Sequence, residues 1–431
     1  MNEPEQNRAL LPPDEPLVPQ TLLDKVSEDY ERLAVDGWPV SAEEFLADRY
    51  RLDLTAEYAG FTLRNPWGKA SGQLSMTARQ VADDVDAGLA FVVLKTVIAQ
   101  DATGTQTMGA WAIPESRMSA EPIVGQSGES GWTISWKGRG WWQTFDDYVG
   151  LIRDANHIAA DSATLIVPSC KYHLPMPEED EWKVSEYEYT TRRLADAWLG
   201  TTAFSNAPMP LEKDFSPTLA GSDRAAAQQK ILEWLRRVPS LVRSAAGENP
   251  QSVRVGLKIF NSLFDDEFQL EMLGSIHEAG EGRPDFYVYA NRLFDPDREF
   301  DGHRGIAYGG PDLSDRNLRV MDLFHATKAE SGQTAQLPCS ATGNITTGKL
   351  ALEYALRGAS SFQLHTFFQL PGDQYTMHAG SKVQKALHEL YLHPRHGFVV
   401  WMHDLATRLN LSQQPIRFSD VIGKANQVRR H

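Results

Sequence analysis

Apolar positions along the chain fall into two kinds of run. Residues 21–50, read as TLLDKVSEDYERL and then SAEEFLADRY, carry them at helical spacing, and Ser41 stands where it would cap the second stretch. From about residue 66 the pattern changes to short apolar runs of strand type that alternate with helical stretches for about three hundred residues. Eight strand candidates follow: the WGKASG region, LAFVVLK (89–95), ATLIVPS (163–169), GTTAFS (200–205), VRVGLKI (253–259), DFYVYA (285–290), AQLPCSA (335–341) and SSFQLHT (360–366). Between them lie helices such as TARQVADDVDAG, where Thr77 and Gln80 suit a capping box and Gly88 a left-handed stop.

Strands written as continuous apolar runs are those buried on both faces by crossover helices. Eight strand-then-helix units predict an α/β chain closed as a (β/α)8 barrel. The competing open doubly wound sheet lacks its signature, since no GxGxxG follows a strand and no GxxxxGK phosphate loop occurs. Pro4, Pro12, Pro13, Pro16 and Pro19 make residues 1–20 an extended, disordered arm. The expected division is this arm, a helical appendage over 21–51, the barrel over 52–375, and a C-terminal helix and tail over 376–431.

At 431 residues, 42% hydrophobic and 23% charged, the chain can bury a sizeable core without staples. The net charge of −15 disfavours nucleic acid and anionic lipid as partners. Cys170 and Cys339 are too few for a disulfide framework, a cysteine-held zinc or an iron–sulfur cluster, and no metal is expected. The first residues lack a signal-peptide pattern and no run approaches ~18 apolar residues, so a soluble, cytoplasmic protein without a membrane partner is expected.

In a barrel of this kind chemistry sits at the C-terminal ends of the strands. Those ends read Ala70, Ser71 and Gly72; Lys95 and Thr96; Ser169 and Cys170; Ser205 and Asn206; Lys258; Asn291; Gly343 and Asn344; His365 and Thr366. The stretch TGNITTGKLALEYALRGA suits a phosphate turn, with Gly343 allowing close approach, Thr346 and Thr347 starting a helix and Gly358 ending it. A tight turn with glycine for geometry alone reads the same way. Lys95 and Lys258 would point into a partly buried cavity that needs an anion, and a flavin fits because a cation near N1 and O2 stabilises the reduced ring. Lysines snorkelling at the rim are the alternative.

These residues carry a family resemblance. LDLTAEYAGFTLRNPWGKASG resembles the opening of the dihydroorotate dehydrogenase and dihydropyrimidine dehydrogenase flavin (TIM) barrels, which contains NPxxxASG. GLAFVVLKTV is similar to their GxxxVVxKT strand, VRVGLKIFNS to their VKLTPN strand, and Ala290-Asn291 to their IN(T/S) strand end. Tyr308 to Ser314 resembles the GGxSG loop, and CSATGNITTGKLALEYALRGASSFQLHTFF the ending GxGGIxTGxDAxExxxAGAxxVQxxT. The resemblance spans roughly residues 52–370 and implies bound FMN. It places Ala70, Ser71 and Gly72 on the cofactor, Lys95 and Thr96 beside the ring, and Lys258 at the pyrimidine edge. Asn291 would touch substrate or flavin, and Gly310, Gly343, Asn344, His365 and Thr366 would surround the phosphate; Asn344 replaces the second glycine of the family's pair.

The departures concern the substrate. Where the family has N(L/V)SCPN, whose Cys or Ser transfers a proton, this chain reads Ala203 to Pro208 with Asn206 at the base position, and asparagine cannot do that transfer. Ser205, or Cys170 at the third strand end, remains as a candidate, Cys170 alternatively being a buried small hydrophobe. GWTISWKGRGWW aligns with the family loop INSMGxxN, with Ser135 for its first asparagine. Trp132, Trp136, Trp141 and Trp142 beside Lys137 and Arg139 suggest a more aromatic pocket or lid with an anion contact, or else packing against the appendage. His173, in the insertion 170–190, is an acid–base candidate or a surface histidine.

The resemblance therefore implies an FMN-dependent oxidoreductase acting on a CH–CH or C=C bond of a small molecule other than dihydroorotate. Hydride transfer would occur at flavin N5, with catalytic candidates Lys95, Ser205, Asn206 and Cys170 and substrate contacts Ser135, Arg139 and Asn291. The electron partner is open between a protein, a soluble acceptor, quinone and oxygen, and a homodimer is suggested by family analogy. The alternatives are a barrel that binds FMN or a phosphate ligand without redox turnover, and a Schiff-base lyase using Lys95 or Lys258.

Overall fold

The structure, a computed structural model, describes residues 9–13, 15–176, 179, 181–204, 207–215, 227–247, 249–261, 265–330, 336–411 and 413–430. The chain is a mixed α/β protein. Strands β1 (Trp67–Lys69), β2 (Phe91–Val93), β3 (Val97–Ile98), β4 (Leu165–Val167), β5 (Ser169–Lys171), β6 (Met209–Asp214), β7 (Val253–Phe260), β8 (Phe286–Asn291), β9 (Cys339–Thr342) and β10 (Ala359–Leu364) form one parallel sheet. Their order is β3-β5-β6-β7-β8-β9-β10-β1-β2-β4. Parallel neighbours need crossovers, and the helices Ala78–Asp86, Phe145–Ala159, Val184–Leu199, Gln228–Ala245, Asp266–Glu278, Pro311–Glu330 and Gly348–Leu356 supply them. Thr77 and Gln80 form the expected capping box, and Gly88 (φ +95°) is left-handed after that helix.

Seven of the eight strand expectations coincide with strands. The fourth does not: residues 200–204 form no strand, and the run in its place is Met209–Asp214, MPLEKD. Its three charged residues hid it from an apolar pattern. All are buried, because the concave side of the sheet supplies Glu212 with partners in the Tyr58 hydroxyl (2.6 Å) and the Gln363 amide. The hairpin Ala56–Tyr58/Phe61–Leu63 carries Tyr58, whose ring stacks 4.4 Å from Phe91 and lies 5.0 Å from Phe286. Gly68 and Gly256 leave the space that those two phenylalanine rings occupy.

Two antiparallel ribbons escaped the sequence reading: Ile113–Val124 with Ser130–Arg139, and Leu293–Phe300 with His303–Tyr308. GWTISWKGRGWW is thus mostly a ribbon strand rather than a loop. Trp141, just beyond it, packs edge-on at 5.3 Å against Tyr148 of helix Phe145–Ala159, not on the N-terminal appendage.

The appendage helices are Gln20–Asp36 and Ala42–Tyr50; Ser41 precedes the second but makes no capping bond through its side chain. Gln20–Asp36 packs on the C-terminal helices Lys382–Leu392 and Phe398–Arg408, and Leu52–Asp53 pairs with Ile416–Arg417. Described residues of the arm contact the rest of the chain, while residues 1–8 and 14 lie outside the described residues. The Leu11 amide donates to Glu353 at 2.7 Å, the Leu17 amide to Asp404 at 2.8 Å, and Leu11 is 1% exposed in the core. Orphan backbone donors and one buried leucine offset the ordering entropy of this proline-rich stretch. Leu11→Ala is expected to cost about 2 kcal/mol, read as a lower midpoint in urea denaturation; an unchanged midpoint would show that the arm adds nothing to stability. No helix among the described residues is long and apolar enough to cross a membrane.

Candidate functional site

The strand C-terminal ends surround a cavity of about 740 Å³. Ala70, Ser71 and Gly72 follow β1; Lys95 and Thr96 stand between β2 and β3; Lys258 belongs to β7, Asn291 ends β8, and His365 and Thr366 follow β10. All of them line the cavity, as do Gly310, Gly343, Asn344 and Arg139. Residues far apart in sequence are thus brought to one place.

Three hydroxyls join the first strand ends. Thr96 Oγ1 lies 3.0 Å from both Ser71 Oγ and Ser169 Oγ, and also donates at 3.4 Å to Asp214 Oδ2. Asp214, which the sequence reading missed, ends β6, stands in register with Lys258 of β7 and lines the cavity. Lys95 is 7% exposed and Lys258 4%. Neither ammonium has a hydrogen-bond or ion-pair partner among the described residues. Burial pulls the Lys95 pKa down to about 8; the Asp214 carboxylate opposes this, while Lys258 and Arg292 add to it. Burial also raises the Glu212 carboxyl, against the pull of Lys258 and the bonds from Tyr58 and Gln363.

His365 completes this cationic centre. Gln369 Nε2 donates to its Nδ1 at 2.8 Å, which leaves the ring proton on Nε2. That buried Nε2 has no partner among the described residues, and the same is true of Gln363 Oε1 on the cavity wall. Burial and the nearby charges of Lys69, Arg292, Lys95 and Lys258 hold the imidazole well below its usual pKa, hence neutral. A side chain on Gly72 would run into this ring. Arg292, also missed from sequence, lies just past β8 with φ +39° and donates to Ile134 O at 2.9 Å; burial brings its pKa down to about 9.

Two turns at helix starts form another wall. Gly310 (φ +96°) precedes helix Pro311–Glu330, and Gly343 (φ +115°) and Asn344 (φ +55°) precede helix Gly348–Leu356, which Thr347 caps at 3.1 Å. A Cβ on Gly343 would sit 2.7 Å from Asn317 Nδ2, so glycine is required there. Asn344 tolerates its left-handed backbone and donates to Ser314 Oγ at 3.0 Å. Such paired helix N-termini suit a phosphate group.

The ribbons roof the cavity. The Gly309 amide donates to Thr133 Oγ1 at 3.0 Å, and Gln73 Nε2 to Gly138 O at 3.1 Å. Ser135 is buried in the ribbon, donates to Glu121 at 3.0 Å and does not line the cavity. Cys170 lies in β5, fully buried and off the cavity wall, with its thiol pushed up by burial. Ser205 and Asn206 lie outside the described residues, and in sequence they precede β6 rather than follow it. His173 is buried rather than on the surface, its Nε2 3.3 Å from Glu179, and does not line the cavity. Among the described residues, no group of His, Cys, Asp and Glu could hold a metal ion.

The charged strand itself is what could have revealed Asp214 in advance: Glu212 and Asp214 alternate as residues on one face of a strand do. No family model matches this chain, and no curated protein matches it.

Proposed function

We propose that this chain is an FMN-dependent oxidoreductase acting on a CH–CH or C=C bond, built on a (β/α)8 barrel of the dihydroorotate dehydrogenase type. Closure of the barrel is supported by the two ends of the strand order. Only residues 94–96 separate β2 from β3, and only Pro168 separates β4 from β5. β2 pairs with β4 at one end and β3 with β5 at the other, so both ends consist of the same two chain runs. Pro168 interrupts the ladder because it has no N–H, yet its carbonyl still accepts from Glu212 N at 3.0 Å. Eight runs in a ring account for these pairings.

The observation that carries the cofactor reading is the burial of the Lys95 and Lys258 ammoniums in one cavity, without ion-pair partners among the described residues, opposite the two glycine turns. Two buried cations cost several kcal/mol each unless an anion joins them. FMN matches on size, since about 740 Å³ lies within the range of ligand pockets. It matches on chemistry too: a phosphate for Gly310, Gly343 and Asn344, a ring edge for Lys258, and hydrogen-bonding groups for the unpartnered Gln363 Oε1 and His365 Nε2.

When bound, FMN supplies two-electron chemistry at N5. Lys258 and Lys95 hold negative charge at the cavity floor, and His365 in its neutral form adds a donor without adding charge. Asp214, beside Thr96 and Lys95, takes or returns the proton at its carboxylate, the role that the sequence reading left to Ser205 or Cys170. The ribbons exclude water from above. The purified protein is expected to absorb near ~450 nm and to release FMN on denaturation. A colourless protein that also refuses added FMN would overturn the reading.

One observation favours a second reading. An amine with a pKa near 8 and no ion-pair partner among the described residues is a nucleophile at neutral pH, so Lys95 suits Schiff-base chemistry. Borohydride trapping of a carbonyl compound on Lys95, located by peptide mass, would favour it; failure of aldehydes and 2-oxo acids to trap there would discard it.

A further inference from the structure

FMN accounts for the cations at the strand ends and for the glycine turns, and leaves Arg139 without a role. Arg139 ends the ribbon strand Ser130–Arg139, stands in register with Ile113 and lines the cavity. Its Nε donates to Trp111 O at 2.9 Å, and its guanidinium lies 5.8 Å from the centre of the Trp111 ring. That single bond fixes the plane of the guanidinium. It leaves Nη1 and Nη2 with no hydrogen bond or ion pair among the described residues. Burial lowers the guanidinium pKa, and no acid among the described residues offsets it.

The cavity that Arg139 lines also carries apolar side chains: Ile113, its register partner, Met108, three residues before Trp111, and Leu174 and Met176, the last 48% exposed. A planar fork with two parallel donors matches a carboxylate or a phosphate. A phosphate would keep further oxygens beyond the two that the fork can take. A carboxylate is satisfied by the fork alone.

We propose that the substrate is an apolar carboxylate, its carboxylate gripped bidentately by Arg139 near the mouth and its hydrocarbon body packed on Met108, Ile113, Leu174 and Met176. The bond to be oxidised or reduced then lies inward, toward Asp214 and Lys95; this last step rests on the flavin reading, whereas the grip of Arg139 does not.

The test titrates the purified, FMN-loaded protein with acetate, hexanoate, cinnamate and cinnamamide, the neutral isostere of cinnamate, by calorimetry and by the shift of the flavin band. Cinnamate is expected to bind about tenfold or more tightly than either acetate or cinnamamide. Arg139→Gln is expected to erase the preference over cinnamamide with flavin content unchanged, and Arg139→Lys to restore part of it. Equal binding of cinnamate and cinnamamide, an unchanged preference in Arg139→Gln, or no binding of any carboxylate in the series would overturn the assignment. If the protein holds no FMN, the flavin reading fails separately, and calorimetry of the same four compounds on the flavin-free protein decides the role of Arg139 by the same outcomes.

Discussion

Lys258→Met is expected to weaken FMN binding by about 100-fold, with little change in folding stability. The ammonium stands on β7 in register with Asp214, and the proposed function sets it at the edge of the flavin ring. Truncating one member of a buried charge pair typically costs about 2–5 kcal/mol. Stability is spared because Glu212, whose carboxyl burial already raises, loses the opposing pull of Lys258 and takes up a proton instead of remaining an uncompensated charge. Fluorescence quenching on FMN titration gives the affinity and urea denaturation the stability; full FMN affinity in the variant would remove Lys258 from the site. The wild type should show a matching pH dependence. Lys95 has a pKa near 8 in the free cavity, and a bound anion favours its protonated form. Affinity is therefore full below pH 8 and falls as pH rises above it, by up to about tenfold per unit until the bound-state pKa is reached.

Asn317→Ala should be the most destabilising single change near the site, at about 3–5 kcal/mol. Asn317 is fully buried on helix Pro311–Glu330. Its Nδ2 lies 3.0 Å from both Ala290 O and Thr342 O, and its Oδ1 accepts from Asn261 Nδ2 at 2.7 Å. One side chain thus ties the C-terminal ends of β7, β8 and β9, and it also packs beneath Gly343. Its removal leaves two carbonyls and an amide without partners, each worth about 1–3 kcal/mol. Because the same groups position Gly343 and Asn291, FMN retention should fall with stability. A urea midpoint within about 1 kcal/mol of wild type would show that these strand ends hold each other without Asn317.

The strand pattern was legible wherever strands were apolar, as in FVV and LIV, because burial on both faces favours hydrophobic residues. It failed at MPLEKD, where the buried charges look like loop until Tyr58, Gln363 and Lys258 are brought around them. Glycine turns and capping residues were legible for the same local reason: Gly343, Thr347 and Thr77 act on their own backbone. The ribbons were not, although Trp132, Ile134 and Trp136 alternate with Thr133, Ser135 and Lys137, because the reading rested on continuous apolar runs and not on period-2 alternation.

What the linear order of residues determined is the alternation of strand and helix, the polar strand ends and the glycine turns, all set by neighbours within a few positions. What only the tertiary structure decided is the company those ends keep. Lys95, Lys258 and His365 acquire shifted or unmatched charge because strands separated by tens to hundreds of residues bury them together, and Arg139 becomes a fork only once Trp111 fixes its plane. Electrostatic character depends on distance and burial, which are long-range properties of the fold and leave no periodicity in sequence.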